Sequence, residues 1–457
     1  MPRSLHEWRH WSIGDIIAGT TIAVTSLPQY IAYAELAGLS GYRGIAASGP
    51  PLVFFAFLTG NPCLSIGVTS ITALMAISDL KGGEYKELYG EEAWENILGT
   101  YSVMVGVASV VLAMLGAAQL VKHIPGPVKA GWKLGFALCA FGAQAPSAAF
   151  AHAATPKRVC TLPHLHGAPL QGGAATMYRL GWTLTHPHYW DAEAVLFSAM
   201  TLLIVMRSKS LLKRLLRLPG VEVVAATALG TILSSAREYQ GDVVGEPPRG
   251  AKHHSFLEDP TVVLTSWIRQ YPWDMPIAET VQRLGGWPYA VLSAVAFAGV
   301  DYLAIISVEA ERPAPGGSRP TRELAGQGIG CIASGMAGSA PVGGSLTRSM
   351  LAGMIGASSP LMGLVCGFAT MGLAFPQVSK LLVMTPKAVL SSTVLAAVLP
   401  AVVAPKDLLR LGGPDALAGW ATAAATCSTD PTKGFGIGLL VYAVLFPVRR
   451  LLPKKSA

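Results

Sequence analysis

The sequence contains few charged residues. Asp, Glu, Lys and Arg make up 13% of its 457 residues, and hydrophobic residues make up 51%, whereas charged residues are roughly 25% of a soluble domain. The length would allow about three soluble domains, yet no Gly/Ser-rich or charge-rich linker divides the chain into self-sufficient halves. This composition argues against a soluble enzyme and favours one large membrane-embedded domain, in which the 50 Gly and 32 Pro serve close helix packing and helix breaks.

The sequence also lacks the patterns of disulfide, metal and catalytic sites. Its six cysteines contain no C-x-x-C pair and five lie in apolar segments, so no disulfide framework is expected. No H-E-x-x-H, nucleophile elbow or phosphate-binding loop occurs, which makes a membrane enzyme the weakest interpretation. The histidines of the polar connections are interpreted as solvated loop residues rather than metal ligands; they include His186, His188, His253 and His254. We expect no enzymatic activity, no metal and no cofactor.

Apolar runs long enough to cross roughly 30 Å of hydrocarbon recur along the chain. Together with shorter Gly-rich pieces they predict an all-α polytopic membrane protein with about fourteen spans. The longer runs are 14–37, 43–59, 97–121, 128–150, 191–206, 221–235, 288–308, 358–375, 386–403, 415–428 and 434–448, and the shorter pieces are 63–79, 321–340 and 345–357.

The basic residues cluster at the ends of the apolar runs, not on one soluble face. With about fourteen crossings, the clusters near 207–217, 312–322 and 449–455 all fall on one side of the membrane, which the positive-inside rule makes the cytoplasmic side. Both termini are then cytoplasmic, and the polar connections 80–96, 151–190 and 236–287 lie outside. The net charge of +8 therefore indicates orientation, and no nucleic-acid partner is expected.

Two stretches interrupt the helical pattern in the same way. Residues 60–70 and 338–348 each contain a Gly nine positions before a Thr, with Pro and small residues between them, and an apolar helix follows each. Short Gly/Pro-interrupted segments at corresponding positions of two halves indicate a transporter site. Two helix N-termini meeting near the bilayer midplane would direct backbone N–H groups and positive dipole ends at an anion. The candidate anion contacts in these stretches are Thr69, Ser70, Ser345, Thr347 and Arg348.

Two ionisable residues fall within apolar segments. Arg348 lies in the first turn of the second half-helix, and its planar guanidinium suits oxyanions. Asp301 lies within the run 288–308, where a carboxylate could exchange a proton or ligate a small cation, so H⁺ and Na⁺ are both candidate coupling ions. The structural alternatives are that Arg348 sits at a membrane edge or permanently neutralises Asp301, and such a pair could also switch with substrate.

The first predicted span carries polar groups on one face. Pro28 frees a backbone carbonyl in the middle of the helix, and Gln29 and Tyr33 share a face at an i, i+4 spacing. That face could offer an amide and an aromatic wall to a ligand. For Gln29, hydrogen bonding between helices is the alternative interpretation.

Six stretches resemble the sulfate permease family of anion transporters and exchangers. They run in family order over nearly the whole chain, at 15–20, 27–39, 64–68, 322–328, 343–349 and 386–390. The resemblance implies two inverted seven-helix repeats arranged as core and gate domains, with short strands before helices 3 and 10 and the substrate between the N-termini of those helices. It implies that Gln29, Tyr33, Thr69 and the Thr347–Arg348 pair contact the substrate and that Asp301 is the eighth-helix acid.

Three features depart from the family pattern. Asp301 is one methylene shorter than the Glu of many proton-coupled members, Thr347 stands where Ser is usual, and only about nine residues follow the last span, so no cytoplasmic STAS domain is expected. The expected organisation is a cytoplasmic lead-in (1–13), a first seven-helix repeat (14–235), an extracytoplasmic loop (236–287), a second repeat (288–448) and a short cytoplasmic tail (449–457).

The leading functional hypothesis is a proton-coupled secondary active transporter of an inorganic oxyanion, with sulfate as the first choice, working by elevator-type alternating access. The alternatives are a sodium-dependent bicarbonate transporter or a chloride, bicarbonate or oxalate exchanger of the same fold, and a third is an anion channel or non-transporting scaffold. The expected partners are a small inorganic anion and the lipid bilayer, with a homodimer through membrane helices left open. The plasma membrane is the first choice of location and an organellar membrane the second.

Overall fold

The structure is a computed structural model built almost entirely from helices. It describes residues 12–121, 123–152, 164–165, 168–169, 172–207, 221–244, 272–311, 313–314, 317, 319–375, 383–429 and 431–445. The helices are α1 Ile13–Leu36, α2 Gly41–Ala46, α3 Gly49–Leu58, α4 Ser70–Asp79, α5 Gly82–Met114, α6 Ala118–Val121, α7 Gly126–Ala149, α8 Gly172–Thr185, α9 Ala192–Arg207, α10 Val221–Ala236, α11 Ile277–Leu284, α12 Trp287–Glu311, α13 Pro320–Met336, α14 Leu346–Ile355, α15 Leu361–Leu373, α16 Lys387–Val403, α17 Lys406–Leu409, α18 Gly413–Ser428 and α19 Pro431–Val444. The strands are β1 Ile66–Gly67, β2 His164–Leu165, β3 Ala168–Pro169 and β4 Gly343–Gly344.

The start of α1 is fixed by a buried carboxylate. Asp15 accepts the backbone N–H of Ser12 at 2.8 Å in a capping box, which satisfies a donor that the helix itself leaves unpaired. The same carboxylate accepts the N–H groups of Ser358 at 2.6 Å and Ser359 at 2.9 Å. Asp15 therefore joins the first helix to the turn between α14 and α15, more than 340 residues along the chain.

The helices form two packed groups. The first helix group comprises α1–α6 and α11–α15, and the second helix group comprises α7–α10 and α16–α19. The groups meet where α1, α4 and α12 of the first contact α7, α10, α16 and α19 of the second. The half-helix α4 and the face of α1 that carries Tyr33 thus lie near the boundary between the two helix groups.

The outer surface of the helices carries large apolar side chains. Met114 is 81% exposed, Leu203 is 67% exposed and Leu440 is 68% exposed, on three different helices. An apolar surface of this extent would be unfavourable in water, whereas lipid solvates it without cost. The surface is the one that a membrane-embedded protein presents.

Among the described residues, two stretches are long and apolar enough to span a bilayer by length and composition alone. They are Gly82–Met114 and Lys387–Leu409, and shorter apolar helices run over Ser70–Asp79, Glu222–Ala236, Trp287–Leu303 and Leu361–Leu373. The count of about fourteen spans stays a prediction.

All three predicted polar connections contain helix in the structure. The connection at 80–96 is helical from Gly82, because Gly90, at φ 87°, lets two helical pieces join end to end in α5; Glu, Lys and Ala, which favour helix, fill much of this stretch. The connection at 151–190 contains α8, which packs on α7 and α18. His253 and His254 lie outside the described residues, and α11 lies within the predicted loop 236–287.

Candidate functional site

The two Gly/Pro-interrupted stretches meet in the middle of the first helix group. Strands β1 and β4 pair antiparallel, with Ile66 opposite Gly344 and Gly67 opposite Gly343. The backbone N–H of Ser345 donates to the carbonyl of Ser65 at 2.9 Å, which extends this short ladder. Helix α4 follows β1 and helix α14 follows β4, each ten residues long. Because antiparallel strands run in opposite directions, the two helices leave the ladder on opposite sides and their N-termini remain close together.

The first turns of α4 and α14 contain donors that no helix bond satisfies. The Thr69 hydroxyl caps α4 by accepting the N–H of Thr72 at 3.3 Å, and the amides of Ser70 and Ile71 have no partner within the helix. Ser345 is the N-cap of α14, and its side chain makes no capping hydrogen bond. Both termini therefore offer backbone N–H groups and positive dipole ends to the same small volume, the arrangement that binds anions.

Arg348 places a guanidinium between the two helix starts. The residue is 2% exposed, and its Nη2 donates to the carbonyl of Val68, just before α4, at 3.4 Å. Its Nε and Nη1 atoms are buried and have no hydrogen-bond partner among the described residues. A buried cation with unused donors is unfavourable, and an oxyanion at the helix starts would supply both the missing acceptors and the opposite charge.

The glycine of β1 makes this position of Arg348 possible. A Cβ atom on Gly67 would lie 2.7 Å from Nη1 and 2.9 Å from Nη2 of Arg348, closer than real Cβ atoms approach a neighbour. Only glycine leaves room for Nη1 and Nη2 of the guanidinium to approach the strand at this point. The position of the Arg348 side chain therefore requires glycine at position 67.

Helix α1 borders the same volume. Tyr33 is 8% exposed and lies close enough to Ser70 and Arg348 to interact with both. Gln29 is half-buried on the same helix, one residue after the helix-internal Pro28. The aromatic wall predicted for α1 therefore does stand beside the start of α4 and the guanidinium.

Asp301 lies on the other side of β4. It is 3% exposed in α12, and one of its carboxylate oxygens accepts Nε2 of Gln327 at 3.3 Å. A Cβ atom on Gly343 would collide with this carboxylate, so glycine in β4 lets α12 approach the strand. Arg348 and Asp301 thus sit against paired glycines on the two strands of one ladder.

Among the described residues, Asp301 and Arg348 form no ion pair. Each charge is instead held by neutral groups: a carbonyl for Arg348 and an amide for Asp301. The alternative in which the carboxylate permanently neutralises the guanidinium is not the arrangement observed. The site can therefore present an uncompensated positive charge to an anion while a separate carboxylate lies one strand away.

The structure brings most of the predicted site residues together. Thr69, Ser70 and Ser345 flank the two helix starts, Arg348 lies between them, and Tyr33 borders them. Thr347 is the second residue of α14, and its side chain lies outside the part of the chain that the structure describes. A cavity of about 340 Å³ between α7, α16 and α17 is lined by none of the predicted residues.

Sequence reasoning missed three residues that shape the site. Tyr30 lies under the guanidinium of Arg348, Gly67 gives it space, and Gln327 holds Asp301. The glycine-rich composition of both interrupted stretches was a signal for close approach. The contact with Tyr30 depends on how α1 packs against α14, and no sequence spacing indicates that.

Comparisons with known proteins identify the family of this chain. A family model described as the sulfate permease family matches residues 13–417. Human solute carrier family 26 member 6 is 24% identical over 98% of this chain and 56% of its own length. A probable sulfate transporter of Mycobacterium tuberculosis is 26% identical over 86% of this chain and 62% of its own length. The chain thus spans 56–62% of the length of these two curated relatives.

Solved structures show the same fold. SLC26A9 matches with a TM-score of 0.73 and 13% identity, over 97% of this chain and 66% of the other. The transmembrane domain of BicA, a cyanobacterial bicarbonate transporter, matches with a TM-score of 0.67 and 20% identity, over 94% of this chain and 96% of the other. The family match covers most of the chain, so the chain belongs to the sulfate permease family of multi-pass membrane anion transporters, which are not enzymes.

Proposed function

We propose that the protein is a secondary active transporter of an inorganic oxyanion, with sulfate as the substrate, coupled to protons. The observation that carries this proposal is the buried guanidinium of Arg348, with Nε and Nη1 unpartnered among the described residues, between two helix N-termini. A planar guanidinium offers paired donors that match the oxygen spacing of oxyanions. The probable sulfate transporter of Mycobacterium tuberculosis among its relatives supports sulfate as the first choice.

Asp301 is the residue we assign to coupling. It is a buried carboxylate beside the site that accepts a hydrogen bond from a neutral amide, Nε2 of Gln327, and an acid in such surroundings can gain and lose a proton without breaking an ion pair. Asp301 and Arg348 lie against the paired glycines Gly343 and Gly67 and form no ion pair among the described residues, so each group can respond to the charge of the other without direct contact. Protonation of Asp301 and anion binding at Arg348 would then both act on the positions of the half-helices α4 and α14.

A sodium-dependent bicarbonate transporter is the second candidate. Asp301 and Gln327 each carry an oxygen that could ligate a small cation, and Oε1 of Gln327 is buried without a hydrogen-bond partner among the described residues. The match to the transmembrane domain of BicA covers nearly all of that chain. This candidate keeps the anion site and changes the coupling ion and the size and charge of the anion.

The movement we propose is an elevator-type shift of the first helix group against the second. The half-helices, Arg348 and Asp301 all belong to the first group, and they lie near its boundary with the second. In this proposal both termini are cytoplasmic and the protein resides in the plasma membrane, in line with the positive-inside pattern. The proposed partners are the anion and the lipid bilayer, with a homodimer through membrane helices as the candidate assembly.

The test is uptake of labelled sulfate by purified protein in liposomes. Separate arms impose an inward H⁺ gradient, an inward Na⁺ gradient or neither, and unlabelled sulfate, bicarbonate or chloride competes in each. Sulfate uptake driven by the H⁺ gradient is expected. Uptake driven by Na⁺ and blocked only by bicarbonate would establish the second candidate, and passive conductance without coupling to either ion would overturn both.

Two polar bridges join the helix groups at one end of the molecule. Nζ of Lys387, the first residue of α16, lies 3.5 Å from a carboxylate oxygen of Glu35 near the end of α1. Thr432, at the start of α19, donates to Asp79, the last residue of α4, at 3.2 Å. In the proposed orientation both bridges lie on the extracytoplasmic side, so they would have to open when the site faces outward.

Charge reversal at Glu35 should loosen this boundary. In Glu35→Lys the new ammonium faces the ammonium of Lys387. We expect several-fold slower sulfate uptake and faster hydrogen exchange in the α4 region at 66–79. The double variant Glu35→Lys with Lys387→Glu should recover both readings. The matched control is Asp407→Lys, which reverses the exposed pair of Lys133 and Asp407 at 3.3 Å and should change neither reading. Failure of the double variant to recover would show that the pair does not hold the boundary.

A further inference from the structure

The guanidinium of Arg348 rests on an aromatic ring. The Cζ atom lies 5.2 Å from the ring centroid of Tyr30, and Tyr30 is 1% exposed. A cation over the face of an aromatic ring is attracted by the ring quadrupole, and the attraction strengthens when both groups are shielded from water. Tyr30 thus stabilises the positive charge of Arg348.

The backbone of β1 lies beside the end of the guanidinium that carries Nη1 and Nη2. A Cβ atom on Gly67 would collide with both atoms, so the strand lies in contact range. The guanidinium is therefore held by the Tyr30 ring over its face and by the strand at this end, while Nη2 bonds to the carbonyl of Val68 at 3.4 Å. These three contacts fix where the unpartnered Nε and Nη1 atoms lie.

None of these contacts neutralises the positive charge. The ring, the glycine and the carbonyl are uncharged, and no carboxylate pairs with Arg348 in the described part of the chain. A carboxylate in place of the ring would hold the guanidinium equally firmly, yet it would compete with the anion for the same charge. A ring holds the side chain and leaves its charge available.

We infer that Tyr30 is a positioning residue for Arg348: its ring holds the guanidinium, charge uncompensated, in the orientation that an inorganic oxyanion meets at the two helix N-termini. This inference rests on the proposed function, because it names the residue that sets the affinity of the proposed anion site. A side chain already ordered before binding loses less conformational freedom when the anion arrives. Tyr30 would therefore raise anion affinity without contacting the anion.

Two replacements of Tyr30 distinguish the contribution of its ring from that of its hydroxyl. Tyr30→Phe keeps the ring and should bind sulfate within about twofold of the unchanged protein. Tyr30→Leu removes the ring face. We expect the KM for sulfate uptake and the Kd for sulfate of the purified protein to rise roughly tenfold, with kcat little changed. The reason is that one lost cation–π contact is worth about a factor of ten in affinity. Tyr239→Leu is the matched control, because it removes a buried tyrosine that packs against α9 and α16 of the second helix group and should leave both constants unchanged.

A fluorinated series keeps the test valid where Tyr30→Leu does not fold. Phenylalanine with one, two or three ring fluorines at position 30 has nearly the same shape, and each fluorine weakens the ring quadrupole. Sulfate affinity should fall step by step with fluorination, whereas a ring that only fills space would give constant affinity and overturn the inference.

Arg348→Ala, measured in the same assay, separates the two proposals. Lost sulfate binding in Arg348→Ala with constant affinity across the fluorinated series would refute only the role of Tyr30. Normal sulfate binding in Arg348→Ala would refute the anion site itself, and the role of Tyr30 with it.

Discussion

Arg348→Ala should abolish sulfate uptake at substrate concentrations that saturate the unchanged protein. Charge-assisted hydrogen bonds are worth about 1.5–3 kcal/mol each, and an anion at the helix starts would use at least the buried Nε and Nη1 donors of Arg348. The loss of about 3–6 kcal/mol of binding free energy corresponds to roughly a 100- to 20,000-fold rise in Kd. The measurement is equilibrium binding of labelled sulfate to purified protein, with liposome uptake beside it.

Two further variants separate lost charge from lost geometry. Arg348→Lys keeps the charge and loses the planar fork, so an intermediate affinity is expected. Arg237→Ala is the matched control: Arg237 is about half exposed and lies 3.6 Å from Glu193 on the second helix group, and its removal should leave sulfate binding unchanged. Sulfate bound with unchanged affinity by a folded Arg348→Ala protein would remove Arg348 from the site.

The sequence predicted the elements of the site better than their connections. The run at 14–37 is α1 within one residue at each end, because a capping box at Ser12 and Asp15 starts the helix and the apolar residues continue without a break. The interrupted stretches 60–70 and 338–348 predict helix starts, and the structure has α4 and α14 there. These features depend on local chemistry, which a single sequence carries.

The helices inside the polar connections depend on tertiary packing. Residues 80–96 are rich in charge and indicated a polar connection; in the structure they form a helical piece that meets the apolar half of α5 at a kink at Gly90. Helix α8 was missed because its sequence, Gly172–Thr185, is short and of mixed polarity, and its stability comes from packing on α7 and α18.

The details of the site also depend on which surfaces meet. Tyr30 lies one residue from Gln29, so the i, i+4 face that indicated Gln29 and Tyr33 did not include it. The space that Gly67 gives to Arg348 exists only because β1 pairs with β4 across more than 270 residues. Residue types and spacing predicted an anion site with one arginine, whereas the ring and the glycine that orient the arginine follow from packing.

Asp301→Asn should uncouple uptake from the proton gradient. Asn has the same shape, and its side-chain oxygen can still accept Nε2 of Gln327, which reaches Asp301 at 3.3 Å, so the packing against Gly343 should persist while the proton-binding group is lost. One pH unit corresponds to about 1.4 kcal/mol per proton, so one coupled proton raises sulfate accumulation about tenfold per unit of gradient. In Asp301→Asn that dependence should vanish, while sulfate binding at Arg348 persists.

The matched control is Asp407→Asn, which removes an exposed carboxylate paired with Lys133 and should retain the full response. A gradient response in Asp301→Asn equal to that of the unchanged protein would place coupling elsewhere, and loss of a Na⁺ response instead would assign Asp301 to the sodium-dependent candidate.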